Sequence, residues 1–193
     1  MNRILFALLL WLGSTSATAH EGHHDENLKA APLLAGASVW QLNSAWKDQN
    51  GASVTLASLT GKPLLVAMLY TRCKTACPII TDDLKAVAAE LMRKGRLVDV
   101  AIFSLDSFHE TPASLSAYAK KRNLPANWRL YTGNADSVSE LAGALGVRYK
   151  RLKDGEYIHS NVIYYVNKDG EVAAQKEGLN SPSEEFIKKI ARP

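Results

Sequence analysis

One continuous apolar run, "PLLVAMLY" at 63–70, and a second, largely apolar stretch, "VDVAIFSLD" at 98–106, constrain this chain more than any other feature. Runs of this length with little polar alternation predict strands covered on both faces. Between them Ile80, Leu84, Val87, Ala88 and Leu91 recur at helical spacing, which predicts a helix from about Pro78 to Lys94. A buried strand, a helix and a second buried strand make a parallel β-α-β unit.

The flanking segments extend the unit. Ser38–Trp46 and Val54–Leu59 surround "KDQNGAS", whose Asn50-Gly51 pair is a hairpin signal. Thr111-Pro112 reads as an N-cap with proline at the first helical position, opening a helix that carries Leu115, Tyr118 and Ala119. "WRLYTG" at 128–133 is a short strand, and Val138, Leu141, Ala142 and Leu145 mark a third helix. "SNVIYYVNKDGEVAAQKEG" gives two strands around an Asp169-Gly170 turn. Ser181-Pro182-Ser183-Glu184 has the pattern of a capping box before a last helix with Phe186, Ile187 and Ile190 inside. The predicted class is α/β: a thioredoxin-like sandwich, with a mixed central sheet, an N-terminal hairpin and helices on both faces. In such sheets reactive groups collect beyond the carboxyl ends of the strands.

The N-terminus bears on compartment. "MNRILFALLLWLGSTSATA" places Arg3 before an apolar run from Ile4 to Leu12 and ends on Ala17-Thr18-Ala19. This is the pattern of a secretory signal peptide over 1–19, too short in its apolar part to span a bilayer. A chain that kept it would be membrane-anchored. Removing it leaves 22 basic residues against 19 acidic ones. Residues 20–37, with His20, His23 and His24, read as a flexible tail. Its "HEGHHDE" suits a soluble spacer better than a Cu(II) collector. The domain then runs over 38–193. The basic clusters "KKR" at 120–122 and "RYKRLK" at 148–153 read as solvated faces. No basic stripe is interleaved with aromatics, so nucleic acid is not the expected partner.

Against that background stands "YTRCKTACPII", which holds Cys73 and Cys77, the only two cysteines of 193 residues. A disulfide so local would constrain the unfolded chain little, so a redox or metal role is favoured over a structural one. Pro78 fixes its own φ and disfavours helix at Cys77, placing Cys77 at the N-cap or first turn and Cys73 in the loop before it. The helix N-terminus, Arg72 and Lys74 all favour thiolate. The spacing leaves both a disulfide and a shared metal open. A third ligand is available in His159, at the entry to the strand expected to neighbour the cysteine loop, where thioredoxins place a cis-proline. Two thiolates and an imidazole suit copper, Cu(I) in particular, with zinc as the rival.

Three features together, Cys-x-x-x-Cys-Pro after a "YT" strand end, "SLDSFHETP" after the next strand, and His-Ser before "VIYYVNKDG", resemble the Sco/SenC family over roughly residues 38–190. The resemblance implies a thioredoxin-like periplasmic protein, largely monomeric, that binds copper, as Cu(I), Cu(II) or both, through Cys73, Cys77 and His159. It also implies a role in maturing the binuclear copper site of cytochrome c oxidase. The implied partners are the copper-accepting oxidase subunit, a copper donor and a periplasmic thiol reductant. Lys74, Ser107, Glu110 and Ile158 depart from common family residues while leaving the three ligands in place.

The role expected is that of a metallochaperone, not a turnover enzyme. The alternative is a thiol-disulfide oxidoreductase acting on exported proteins, with Cys73 or Cys77 as nucleophile. A peroxide-reducing enzyme is a weaker third reading. Asp106, at a strand end on the cysteine side, is a candidate to support the site from behind. His109 and Glu110 read as surface residues, and Trp40, Trp46 and Trp128 as packing.

Overall fold

The computed structural model describes residues 28–33 and 36–191. The signal-peptide reading and the tail histidines lie outside the described residues. Nine strands and four helices follow one another: β1 (Ala45–Asp48), β2 (Ser53–Thr55), β3 (Leu64–Leu69), α1 (Ala76–Arg93), β4 (Asp99–Ser104), α2 (Pro112–Lys121), β5 (Trp128–Gly133), α3 (Ala135–Ala144), β6 (Tyr149–Arg151), β7 (Tyr157–His159), β8 (Val162–Val166), β9 (Val172–Glu177) and α4 (Glu184–Ala191). Seven strands form one sheet in the order β2-β1-β5-β4-β3-β8-β9, and β6 pairs only with β7.

The sheet is mixed, as expected. β3 runs parallel to β4, and β4 to β5, while β8 lies antiparallel on the other side of β3. The alternation along β3 explains why all six of its residues are buried. Leu65, Ala67 and Leu69 face a core built with α1, α2 and α4. Leu64, Val66 and Met68 face a second core with α3, Trp40, Trp46 and Leu56. Each such leucine, valine or methionine side chain, fully covered, contributes about 1.5–3 kcal/mol. The architecture is the thioredoxin-like sandwich that the element order predicts.

Three details differ from expectation. The N-terminal hairpin is shorter, because Val39–Gln41 and Leu56–Leu59 turn into 3-10 helix. Ser181 does not cap the last helix: its hydroxyl donates to the carbonyls of Glu177 and Gly178, and the helix begins at Glu184. The basic cluster at 148–153 hides a strand, β6. Part of the expected tail also packs on the domain, with the Ala31 N–H donating to the Gly146 carbonyl at 2.7 Å. At the β8–β9 turn Gly170 has φ +89°, and a Cβ there would fall 2.2 Å from Ser38 Oγ and 2.5 Å from the Trp40 ring. Only glycine serves at that position.

Candidate metal centre

The register of the central strands brings the candidate residues together. β3 pairs with β8 through Leu64↔Val166 and Ala67↔Ile163. Continued by the same count, that register sets His159 beside the chain that leaves β3 toward Cys73. An imidazole 82 positions from Cys77 is thus delivered to the loop by antiparallel pairing.

The loop from Tyr70 to Thr75 leads into α1, whose N-cap residue is Thr75. Thr75 makes no side-chain cap bond. The Cys73 sulfur takes that place: the Cys77 N–H donates to Cys73 Sγ at 3.4 Å. Pro78 falls in the first turn, where its missing N–H removes no helix bond. Cys73 is 7% exposed, Cys77 is fully buried and His159 is 5% exposed. Both cysteines are free thiols.

Cys77 Sγ lies 3.6 Å from His159 Nε2. His159 Nδ1 lies 3.0 Å from the Ser160 carbonyl oxygen. A carbonyl only accepts, so Nδ1 carries the hydrogen and Nε2 presents a lone pair to the sulfur. Burial lowers the pKa of His159, which keeps the ring neutral. The donor that Cys77 would offer a metal therefore already faces an unprotonated imidazole nitrogen. Among the described residues no three His, Cys, Asp or Glu side chains stand arranged around one metal position. The contacts are pairwise, each made through Cys77.

The two sulfurs differ in acidity. The hydrogen bond from the Cys77 thiol lowers the Cys73 pKa to about 4, and the N–H groups of Cys77 and Thr75 add to the effect against the opposing cost of burial. Burial raises the Cys77 pKa well above the usual thiol value, and its bond to Cys73 raises it further. The flanking cations act otherwise than the sequence predicts. The Arg72 guanidinium turns to Asp106, with Nε at 3.1 Å and a terminal nitrogen at 2.7 Å. Lys74 points to solvent as an exposed side chain. Thiolate character therefore comes from the cysteine pair and the helix start.

Asp106 is buried, at 1% exposure. Burial alone would raise its carboxyl pKa, but Arg72 and His109 outweigh that and hold it low. His109 itself is exposed, with Nδ1 3.1 Å from Asp106. Asp106 thus supports the cysteine loop through Arg72, without facing either sulfur in any contact described.

Glu110 is not the surface residue the sequence suggests. Its carboxylate accepts from the Thr71 N–H at 2.9 Å, the Thr71 hydroxyl at 2.6 Å, Ser104 Oγ at 2.9 Å and Ser114 Oγ at 2.6 Å. It ties the cysteine loop to the end of β4 and the first turn of α2. Tyr70 and Glu156 were also missed. The Tyr70 hydroxyl donates to Glu156 Oε2 at 2.6 Å and accepts from the Tyr157 N–H at 3.1 Å. It fastens the β6–β7 hairpin, which carries His159, to the chain leading into Cys73. A polar-tipped aromatic ending an apolar run just before the cysteines was the available signal for Tyr70. Glu156, 86 positions away, follows the Asp154-Gly155 turn signal, but nothing in the sequence tied that turn to Tyr70.

Comparison with known proteins identifies relatives of this chain and of its fold. A SCO1 protein homolog of Bacillus subtilis (strain 168) is 28% identical over 150 residues, covering 75% of this chain and 78% of its own length. The structure of Bradyrhizobium japonicum ScoI with copper bound aligns at TM-score 0.63 and 26% identity, covering 76% of this chain and 94% of ScoI. The structure of BsSco, described as a member of the Sco family of cytochrome c oxidase assembly proteins with a disulfide switch, aligns at TM-score 0.66 and 27% identity, covering 77% of this chain and 92% of BsSco. With residues 42–193 matching the SCO1/SenC family, this chain belongs to that family.

Proposed function

We propose that this chain is a periplasmic copper metallochaperone that holds copper through Cys73, Cys77 and His159 and passes it to the copper-accepting subunit of cytochrome c oxidase. The observation that carries the reading is the buried, neutral imidazole whose Nε2 lone pair faces Cys77 Sγ at 3.6 Å. Two sulfurs and one nitrogen are a donor set suited to Cu(I). The copper-bound Bradyrhizobium ScoI and the assembly role given for BsSco support it. Residues 1–19, read as a secretory leader, supply the compartment.

The chain's own residues prepare the site. Cys73 is held as thiolate by the Cys77 thiol and two backbone N–H groups. Cys77 keeps its proton at neutral pH and releases it when metal replaces that proton. Ser160 holds the proton on His159 Nδ1 so that Nε2 stays free. Burial excludes water from the sulfur and the ring. Copper, as cargo, supplies the soft Lewis acid that binds the donors.

Anaerobic Cu(I) titration of the reduced protein tests the reading. We expect one copper bound, and a loss of affinity of more than about 100-fold in each of Cys73→Ala, Cys77→Ala and His159→Ala, beyond the range for residues that merely support a ligand. Unchanged affinity in His159→Ala would refute the ligand set.

A second reading, thiol-disulfide oxidoreductase, is favoured by one observation: a low-pKa sulfur at Cys73 beside a protonated partner at Cys77. His159→Ala separates the two, since it removes a copper ligand and leaves both thiols.

A further inference from the structure

The end of the sheet that carries the thiols also carries cations, two of which meet no acceptor among the described residues. A groove of about 750 Å³ runs past Cys73, between the cysteine loop with the start of α1 on one side and α2 on the other. Of the three candidate ligands only Cys73 lines it. Its apolar part is Pro78, Ala117 and Tyr118. Four cations border it: Arg72, Lys74, Lys121 and Arg122. Two are already committed. Arg72 is paired with Asp106, and Arg122 with Asp82 at 2.6 Å. Lys74 and Lys121 are exposed, and neither ammonium meets an acceptor among the described residues. The groove's carboxylate, Glu156, is engaged by the Tyr70 hydroxyl. An unpaired positive charge therefore stands on each bank, with an apolar floor and a reachable sulfur in the same groove.

We propose that this groove docks an acidic partner segment, an extended stretch of chain with Asp or Glu on either side of a cysteine, and that Lys74 and Lys121 select it. The proposal rests on the reading above in taking Cys73 as the sulfur a partner reaches. Complementary charge across such a groove acts on encounter rate and choice of partner, and salt weakens it. A partner offering lysines there meets two unpaired ammoniums, and the one carboxylate of the groove, Glu156, already accepts from Tyr70. The cluster "KKR", read from the sequence as a solvated face, and Lys74, read there as favouring thiolate, thereby acquire a common purpose.

The test uses two synthetic peptides, Glu-Glu-Cys-Glu-Glu and Lys-Lys-Cys-Lys-Lys, each as a mixed disulfide with thionitropyridine. The Cys73 thiolate attacks the peptide sulfur and forms a Cys73–peptide disulfide. The peptide–nitropyridine S–S bond breaks, and the coloured thiolate leaves with the bonding electrons. With the reduced protein at low ionic strength, the acidic peptide is expected to react about tenfold faster, at the lower end of charge-steering effects. The gap should close in about 0.5 M salt, where screening acts within a few ångströms. Lys74→Glu with Lys121→Glu should invert the order, and Lys74→Gln with Lys121→Gln should close the gap without inverting it. Lys62→Glu with Lys168→Glu, exposed at the opposite end of the sheet, should leave it unchanged. Equal rates for the two peptides in the unaltered protein overturn the proposal. So does a gap that the Lys62 and Lys168 changes reduce as much as the groove changes do, since net charge would then explain it. No copper is present, so failure of the copper titration and failure of this selectivity are read separately.

Discussion

The cysteine loop and the β6–β7 hairpin meet at the same place but are built differently. The loop is continuous with β3, whose six residues are all buried, and with α1, and the four hydrogen bonds of Glu110 tie it to β4 and α2. Among the described residues the hairpin pairs with no strand of the main sheet. It is held to the loop by Tyr70 and to its own base by Ser160, whose N–H donates to the Arg148 carbonyl at 2.8 Å. The sulfur half of the site is thus part of the core, and the imidazole half is attached to it by a few polar bonds and by the Tyr157 ring, packed 5.2 Å from that of Tyr70. Changes in the loop should register first as stability, and changes in the hairpin first as metal affinity.

The largest departure from ordinary behaviour is expected on titrating the loop. The Cys73 pKa is about 4 in the folded protein against an ordinary 9.0, so between these values the unfolded chain binds the extra proton. The stabilisation from the thiolate is complete above about 9 and is lost as pH falls through about 4. The reduced protein should therefore lose more stability on acidification across that window than the disulfide form. Urea midpoints of the two forms, with thiolate absorbance near 240 nm, measure it, and a single thiolate appearing only near the ordinary thiol value would contradict it.

Glu110→Ala comes next. It should cost about 3 kcal/mol, less than four charge-assisted bonds would suggest because the carboxylate is only half-buried. Thermal or urea unfolding gives the number, and a change below about 0.5 kcal/mol, the range of an ordinary surface substitution, would make the anchor dispensable. Tyr70→Phe leaves the Tyr157 N–H without its phenol acceptor and should cost about 1–2 kcal/mol. Its sharper effect should be on Cu(I), a roughly tenfold loss of affinity with both thiols still titratable, as for partners that orient a ligand. If stability fell and affinity did not, the hairpin would be held by something other than Tyr70. The smallest effect should come from Phe108→Ser. The Arg151 guanidinium sits 5.0 Å from the exposed Phe108 ring, a contact worth about 0.5 kcal/mol at such a site. Unfolding should move by no more than that, with copper affinity unchanged.

The same contrast explains what could be read in advance. The loop was legible because its signals are local: an apolar run, two cysteines, a proline and a helical repeat within thirty residues. "WRLYTG" likewise became β5 over its full length. The hairpin was missed as structure although part of its signal is local. β6 and β7 are only three residues each, with no clear alternation, but the Asp154-Gly155 pair between them is a hairpin dipeptide like Asn50-Gly51 and Asp169-Gly170. His159 itself stood out only because the fold places its segment opposite the loop. The supporting bonds were hidden for a related reason. Glu110 joins residues 6 and 39 positions away, and Tyr70 joins one 86 positions away. No periodicity encodes such pairs. The role given to Arg72 failed because charge near a sulfur in sequence says nothing of the buried carboxylate that claims it.

The Cys73 sulfur stands where a side-chain oxygen usually closes the start of a helix. Whatever happens to that atom, whether a bond to metal, to sulfur or to an alkylating reagent, is therefore also an event in the backbone of α1. The amide of Cys77 keeps or loses its acceptor accordingly, and its proton resonance and exchange rate become an internal gauge of the site.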